Sequence, residues 1–173
     1  MRNRGFTLVE MLVALFVLAL GIAGAAGLQT LAIRTGQEAA RLADGARLLA
    51  SLAERMQANP LAMALDDGAN PYLELDHDAG AGLPASPGLC YGAAACDAAR
   101  LARFDVFELA QAVIGRYSGG RIKVCRDAGA GAGWECSGGA GAPLVARLGW
   151  REPGDGAGEA GPRLRLVLAG AAP

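Results

Sequence analysis

The chain has 173 residues and a formal net charge of −1, a size that holds one domain with appendages. Its arginines beyond the first few residues are interspersed with carboxylates, which excludes a basic face for nucleic acid. With 26 glycines and only 5 % aromatic residues, the folded part has a modest core and much loop, unlike a large enzyme.

The first predicted element is a long helix. No charged residue occurs from Met11 to Ile33, about 23 residues against the roughly 20 that cross a bilayer as a helix and the 7 to 15 or so of a signal-peptide core. Ala23-Gly24-Ala25 has the small residues of a signal-peptidase site, and cleavage there would release an ordinary secreted protein. The following stretch favours a retained helix. From Arg34 to Ala58, RTGQEAARLADGARLLASLAERMQA places Leu42, Leu49, Leu52 and Met56 at helical spacing. Arg34 with Glu38, Arg41 with Asp44 and Asp44 with Arg47 put opposite charges at neighbouring helical positions. Pro60 disfavours helical geometry at Asn59, so one helix is expected from Phe6 to about Ala58, roughly 80 Å at 1.5 Å per residue. Its first half calls for lipid or apolar helices, its second half for a small domain on one face. Gly21, Gly24 and Gly27 allow neighbouring helices to approach closely. Alternatively, at about 1 kcal/mol each relative to alanine, they make a segment able to bend or unwind.

Beyond Pro60 a polar loop is expected, including Asp66-Asp67-Gly68, Asn70-Pro71 and the surface stretch Asp76-His77-Asp78. Asp97 is a candidate N-cap for a second helix, roughly Ala98 to Tyr117, with an apolar stripe of Val106, Leu109, Ala110, Val113 and Tyr117. Gly119-Gly120 ends it. Three strands are then predicted from alternation: Ile122 and Val124 in RIKVC, Leu144, Ala146, Leu148 and Trp150 in LVARLGW, and Leu164, Leu166 and Leu168 in RLRLVL. An antiparallel sheet with one wet face, its dry face on the long helix, follows; the fold class is α+β. The glycine-alanine segments 128 to 142 and 154 to 161 are expected to be mobile connecting loops.

The four cysteines, Cys90, Cys96, Cys125 and Cys136, lie downstream of the apolar run and read as two disulfides formed in an oxidising compartment. Local pairs, Cys90 with Cys96 and Cys125 with Cys136, are favoured; a crossed pairing that pins the second helix to the sheet stays open. Spacings of C-x5-C and C-x10-C do not match zinc sites. His77 is the only histidine. Ser51, Ser86, Ser118 and Ser137 lack a nucleophile elbow, and no P-loop or dinucleotide fingerprint occurs. No catalytic residue, metal or cofactor is expected, so the chain reads as a non-enzyme.

One residue stands out. Arg2 and Arg4 hold the head in the cytoplasm, leaving the rest outside. Glu10, a few residues into the apolar run, is then expensive unless paired, and no basic residue lies within helical reach on its C-terminal side. Its partner has to come from processing or from another chain.

Gly5-Phe6-Thr7-Leu8-Val9-Glu10 resembles the class III signal of type IV prepilins and pseudopilins, in which a membrane peptidase cuts after the glycine and methylates the new phenylalanine amine. Leu52 to Pro60 is similar to the end of the long helix in the minor pilins called PilV, or type IV pilus modification protein. So is the layout of Cys90, Cys96, Ala102-Arg103-Phe104-Asp105, Gly119-Gly120, Cys125 and Leu148-Gly149-Trp150. The chain departs from that pattern at Phe104 or Phe107, where tryptophan is common nearby, and at Tyr117-Ser118, where a proline precedes the paired glycines.

The resemblance implies a type IV pilin-like fold with a leader at 1–5, a transmembrane or filament-core half-helix at 6–33, an amphipathic half at 34–59 and a periplasmic domain at 60–173. Cleavage would follow Gly5 and methylation would fall on Phe6, with Phe6, Thr7 and Glu10 docking subunits. Glu10 would meet the cationic amine of Phe6 in a neighbour. The implied partners are prepilin peptidase, other minor pilins, the major pilin, a tip adhesin and the inner membrane; the implied role is pilus assembly, adhesion and twitching motility. Two other readings compete: a minor pseudopilin of a type II secretion system, and, from a different class, a membrane-tethered or secreted disulfide-bonded binding module.

Overall fold

The computed structural model describes residues 7–92, 94–129, 131–139, 141–152, 154–156 and 161–169. Helix α1 spans Leu8–Ala58, and the chain divides into two compact units, Met1–Arg41 and Leu42–Pro173.

The first unit is helical from Leu8 onward. Its large apolar side chains from Leu8 to Ile33 are all more than half exposed. Fully burying one such side chain is worth about 1.5–3 kcal/mol, so this surface requires an apolar environment. The helix is long and apolar enough to cross a membrane, with a mean hydropathy of 2.5 over its best window. Polar hydroxyls near the end of the apolar run are satisfied within the helix: Thr30 donates to the Ala26 carbonyl at 2.9 Å and Thr35 to that of Leu31 at 3.1 Å.

In the second unit α1 buries Gly45, Leu49, Leu52 and Met56, positions that share one helical face. Helix α2 (Pro60–Met63) begins at once, because Pro60 suits a first helical position and Asn59 accepts a hydrogen bond from the Ala62 N–H at 3.3 Å. Helix α3 (Ala98–Arg116) is capped by Asp97, which accepts from the Arg100 N–H at 2.7 Å. Four strands, β1 (Asp76–Asp78), β2 (Arg121–Arg126), β3 (Leu144–Gly149) and β4 (Leu164–Ala169), form an antiparallel sheet in the order β1-β2-β3-β4. Ile122, Val124, Leu144, Ala146, Leu148 and Leu168 turn one sheet face to the core shared with Leu49, Leu52 and Met56 of α1 and Leu109 and Val113 of α3. This is the α+β, pilin-like arrangement: the long amino-terminal helix packs its second half on a small antiparallel sheet.

The close approach of α1 to the sheet depends on Gly45. A Cβ there would lie 2.6 Å from Leu164 Cδ1, 3.1 Å from Leu148 Cδ2 and 3.4 Å from the Tyr117 hydroxyl. At Gly21, Gly24 and Gly27 a Cβ would meet nothing within 4 Å, so no packing within the described chain requires glycine there.

Four sequence expectations need correction. Asp76-His77-Asp78 is a strand rather than a surface loop. It pairs Asp76 with Lys123 and His77 with Ile122, and its order comes from cross-strand charge: Arg121 and Lys123 both bind the Asp76 carboxylate, at 2.8 and 3.0 Å. The sheet has no wet face along β3, whose six residues are all buried. Segment 128–142 is accordingly more than a connector, since its Gly131 and Glu135 carbonyls accept from Arg147 of β3. Asp44 bonds the Tyr117 hydroxyl at 3.1 Å and lies 3.5 Å from Arg116, using its charge on α3 and its end instead of on helical neighbours.

Candidate functional site: the amino-terminal segment

Gly5 and Phe6 lie outside the described residues. Thr7 and Glu10 are the described members of the predicted set, and they open α1 together. The Glu10 N–H donates to the Thr7 hydroxyl at 3.3 Å and the Met11 N–H to the Thr7 carbonyl at 3.2 Å. Thr7-x-x-Glu10 has the spacing of a capping box, in which a hydroxyl serves an orphan N–H of the first turn. That signal is legible in the sequence, and it gives both residues a local role in fixing the helix start at Leu8. Glu10 stands in the first turn, where the partial positive end of the helix favours a carboxylate. It is exposed, and the next charged residue along the helix is Arg34.

Away from this segment, the domain's polar groups brace one another. Arg55 on α1 reaches Asp105 at 2.9 Å and Glu108 at 2.6 Å on α3. The buried Tyr72 hydroxyl donates to the other Asp105 oxygen at 2.7 Å, and Tyr91 donates to Glu108. Tyr91 also meets Phe104 edge-on at 4.9 Å, which ties the Cys90–Cys96 loop to α3. Partial burial opposes ionisation of Glu108, yet the Tyr91 and Arg55 hydrogen bonds hold its carboxyl below the usual range. Burial, followed by the neighbouring Asp44, pushes the Tyr117 hydroxyl up to about 12. Beside this brace, α1 and α3 bound an open groove of about 570 Å³ whose lining includes Leu48, Ser51, Leu52, Arg55, Glu108 and Leu109. Its acids and bases are arranged as ion pairs and not as a nucleophile with a base.

The four cysteines pair locally. Cys90 and Cys96 have Cα atoms 5.7 Å apart and Cys125 and Cys136 6.4 Å apart, both within ordinary disulfide reach. The second bridge closes residues 126–135 into a loop beside a buried ion pair with no sequence signal. Arg147 of β3 is 1 % exposed and Asp127 is 2 % exposed. Arg147 donates to Asp127 and to the Glu135 carbonyl. The backbone N–H of Ser137, its hydroxyl and the Gly129 N–H also converge on Asp127. They outweigh the burial that opposes them and hold its carboxyl down at about 2. His77 stays in β1, and no three of the His, Cys, Asp or Glu side chains converge as metal ligands among the described residues.

The exposed apolar surface of this helix suits a membrane or other apolar helices. Residues 1–26 match the prokaryotic N-terminal methylation motif. The chain thus carries a type IV pilin-like prepilin signal, which implies processing by a prepilin peptidase and association with membrane and pilus. The match covers the signal and the first part of α1 and ends there. No curated protein and no solved structure matches the chain.

Proposed function

We propose that the protein is a minor pilin of the type IV pilus, a structural subunit with no catalytic role that helps to initiate assembly and is incorporated into the fibre. The observation that carries this reading is the methylation signal at residues 1–26 running straight into an apolar helix of membrane-spanning length. Residues 1–5 are removed, 6–33 serve first as the membrane anchor and then as filament core, 34–59 carry the domain, and 60–173 complete it in the periplasm. Glu10 meets the methylated amine of Phe6 on a neighbouring subunit. A carboxylate in an apolar surround is tolerated when such a cation faces it. Other minor pilins, the major pilin and a tip adhesin are the partners, and adhesion and twitching motility are the outputs.

A minor pseudopilin of a type II secretion system shares this plan, and the same signal serves it. The PilV-like segments at Leu52–Pro60 and Leu148–Trp150 support the pilus. A tethered or secreted binding module gives no role to Gly5 or Glu10. The test is the intact mass and amino-terminal residue of the mature chain from envelopes. N-methylated Phe6 is expected, and a start near Gly27 would refute the reading. Recovery of the chain in sheared pili, with secretion unaffected by its deletion, separates pilus from pseudopilus.

A further inference from the structure

The outer face of β3 is buried without a second hydrophobic core. The core residues lie on the other face, with α1 and α3. Against Arg147 lies segment 131–139, in which Gly131, Ala132, Gly133, Glu135, Ser137, Gly138 and Gly139 are themselves exposed. What fastens this segment is polar and covalent. Arg147 donates to the Glu135 carbonyl, Ser137 bonds Asp127, and the Gly138 N–H donates to the Arg126 carbonyl at 3.0 Å. Trp134 lies 4.8 Å from the Arg121 guanidinium and shares the space over Gly149 with the Gly161 backbone, a Cβ there coming within 2.9 Å of the ring and 2.5 Å of the Gly161 carbonyl. The Cys125–Cys136 bridge closes the loop. A glycine-rich strand of chain loses much conformational entropy when ordered, and little apolar burial offsets that here.

We propose that segment 131–139 is a redox latch: the Cys125–Cys136 disulfide holds it shut over β3, and reduction opens it while the α1–α3–sheet core stays folded. An external dithiol breaks the S–S bond. It gives up two electrons and two protons, becomes a disulfide, and leaves Cys125 and Cys136 as thiols. The base of the latch survives opening, because the Asp127 N–H donates to the Pro143 carbonyl at 3.0 Å and so keeps Asp127 at the end of the β2–β3 ladder beside Arg147. Opening releases Glu135, Ser137 and Trp134 from their partners and frees the side of the Arg147 guanidinium that faces the Glu135 carbonyl. Such a local transition draws on the least apolar part of the fold.

The experiment is hydrogen exchange read by mass spectrometry on the full-length protein in detergent micelles, comparing wild type with Cys125→Ser/Cys136→Ser, in which Cys90–Cys96 is kept. Closing a loop of this size shifts the opening equilibrium by about a hundredfold. The hydrogen-bonded amides of Ser137 and Gly138 should therefore exchange about tenfold to a hundredfold faster, while β2, β3, β4 and α3 keep their protection. Iodide quenching of tryptophan should rise with it, and the rise should vanish in Trp134→Phe, because Trp150 stays buried. Unchanged exchange in 131–139 would overturn the proposal by showing that hydrogen bonds alone hold the segment. Simultaneous loss of protection in α3 and the sheet would overturn it too, by making the disulfide a support of the whole domain. If the double variant does not accumulate, brief dithiothreitol treatment of folded wild type decides by the same exchange pattern, with peptide masses reporting which bridge has opened.

Discussion

Replacing Gly45 by alanine sets two effects of known size against each other. Alanine in a helix interior is favoured over glycine by about 1 kcal/mol. Against that, the new methyl would sit 2.6 Å from Leu164 Cδ1 and 3.1 Å from Leu148 Cδ2, and overpacking of this kind costs about 1–3 kcal/mol. Leu164 is only partly buried and its methyl can swing away, whereas Leu148 and Tyr117 are held in the core. The penalty therefore wins narrowly, and Gly45→Ala should destabilise the domain by about 1 kcal/mol. Gly45→Val, whose γ-carbons reach the fixed neighbours, should lose about 3 kcal/mol. Gly115 in α3 is the control: a Cβ there meets nothing within 4 Å, so Gly115→Ala should gain up to about 1 kcal/mol. Denaturant unfolding of the full-length chain in detergent, followed by near-ultraviolet circular dichroism of Trp150, measures all three. Leu164→Ala should remove most of the penalty, which makes the coupling between positions 45 and 164 the direct readout. If Gly45→Ala stabilised as much as Gly115→Ala, α1 would not lie against β4 as described, and the reasoning would fail.

Arg55→Met leaves the buried Asp105 carboxylate without its cation, and since Arg55 is partly exposed the expected loss is about 1–3 kcal/mol, read by the same unfolding assay. Asp127 has its folded pKa below its unfolded value of 3.8, so its contribution is complete above that value and fades as pH falls from about 4 towards 2. The stability gap between wild type and Asp127→Asn should shrink across that window; a gap that stays constant would refute the assignment. Glu10→Ala should be processed and inserted normally yet be scarce in sheared pili, with Glu10→Asp between it and wild type. Immunoblots at matched membrane levels check this, and wild-type incorporation of Glu10→Ala would remove Glu10 from docking.

The elements that the sequence announces are those whose cause is local. Asp97 caps α3 and Pro60 stops α1 through atoms a few residues away, and β2 and β4 carry alternation that survives folding. Gly45 is hidden because nothing near it in sequence reveals that Leu164 will approach. The three-residue β1 has no pattern of its own; Arg121 and Lys123, more than forty positions on, give it its place. Arg147 reads as a solvent-facing residue of β3 because its partner, Asp127, lies across a glycine-rich loop that composition suggests is slack. The site divides in the same way. Glu10 is conspicuous as a charge in an apolar run, while its pairing with Thr7 needs only a three-residue spacing and is easily missed beside the louder signal.

The acidic strand β1 also bears on how molecules of this protein meet. A sheet edge offers unpaired N–H and C=O groups to any strand that drifts by, and short, charged edges resist such additions. With only Asp76, His77 and Asp78, β1 makes one side of the sheet a poor template. Misassembly by strand addition, during overexpression or refolding, is thereby directed to the six-residue β4, where Val167 is half exposed. A charge placed at Val167 is thus the first substitution to try when the isolated protein clumps.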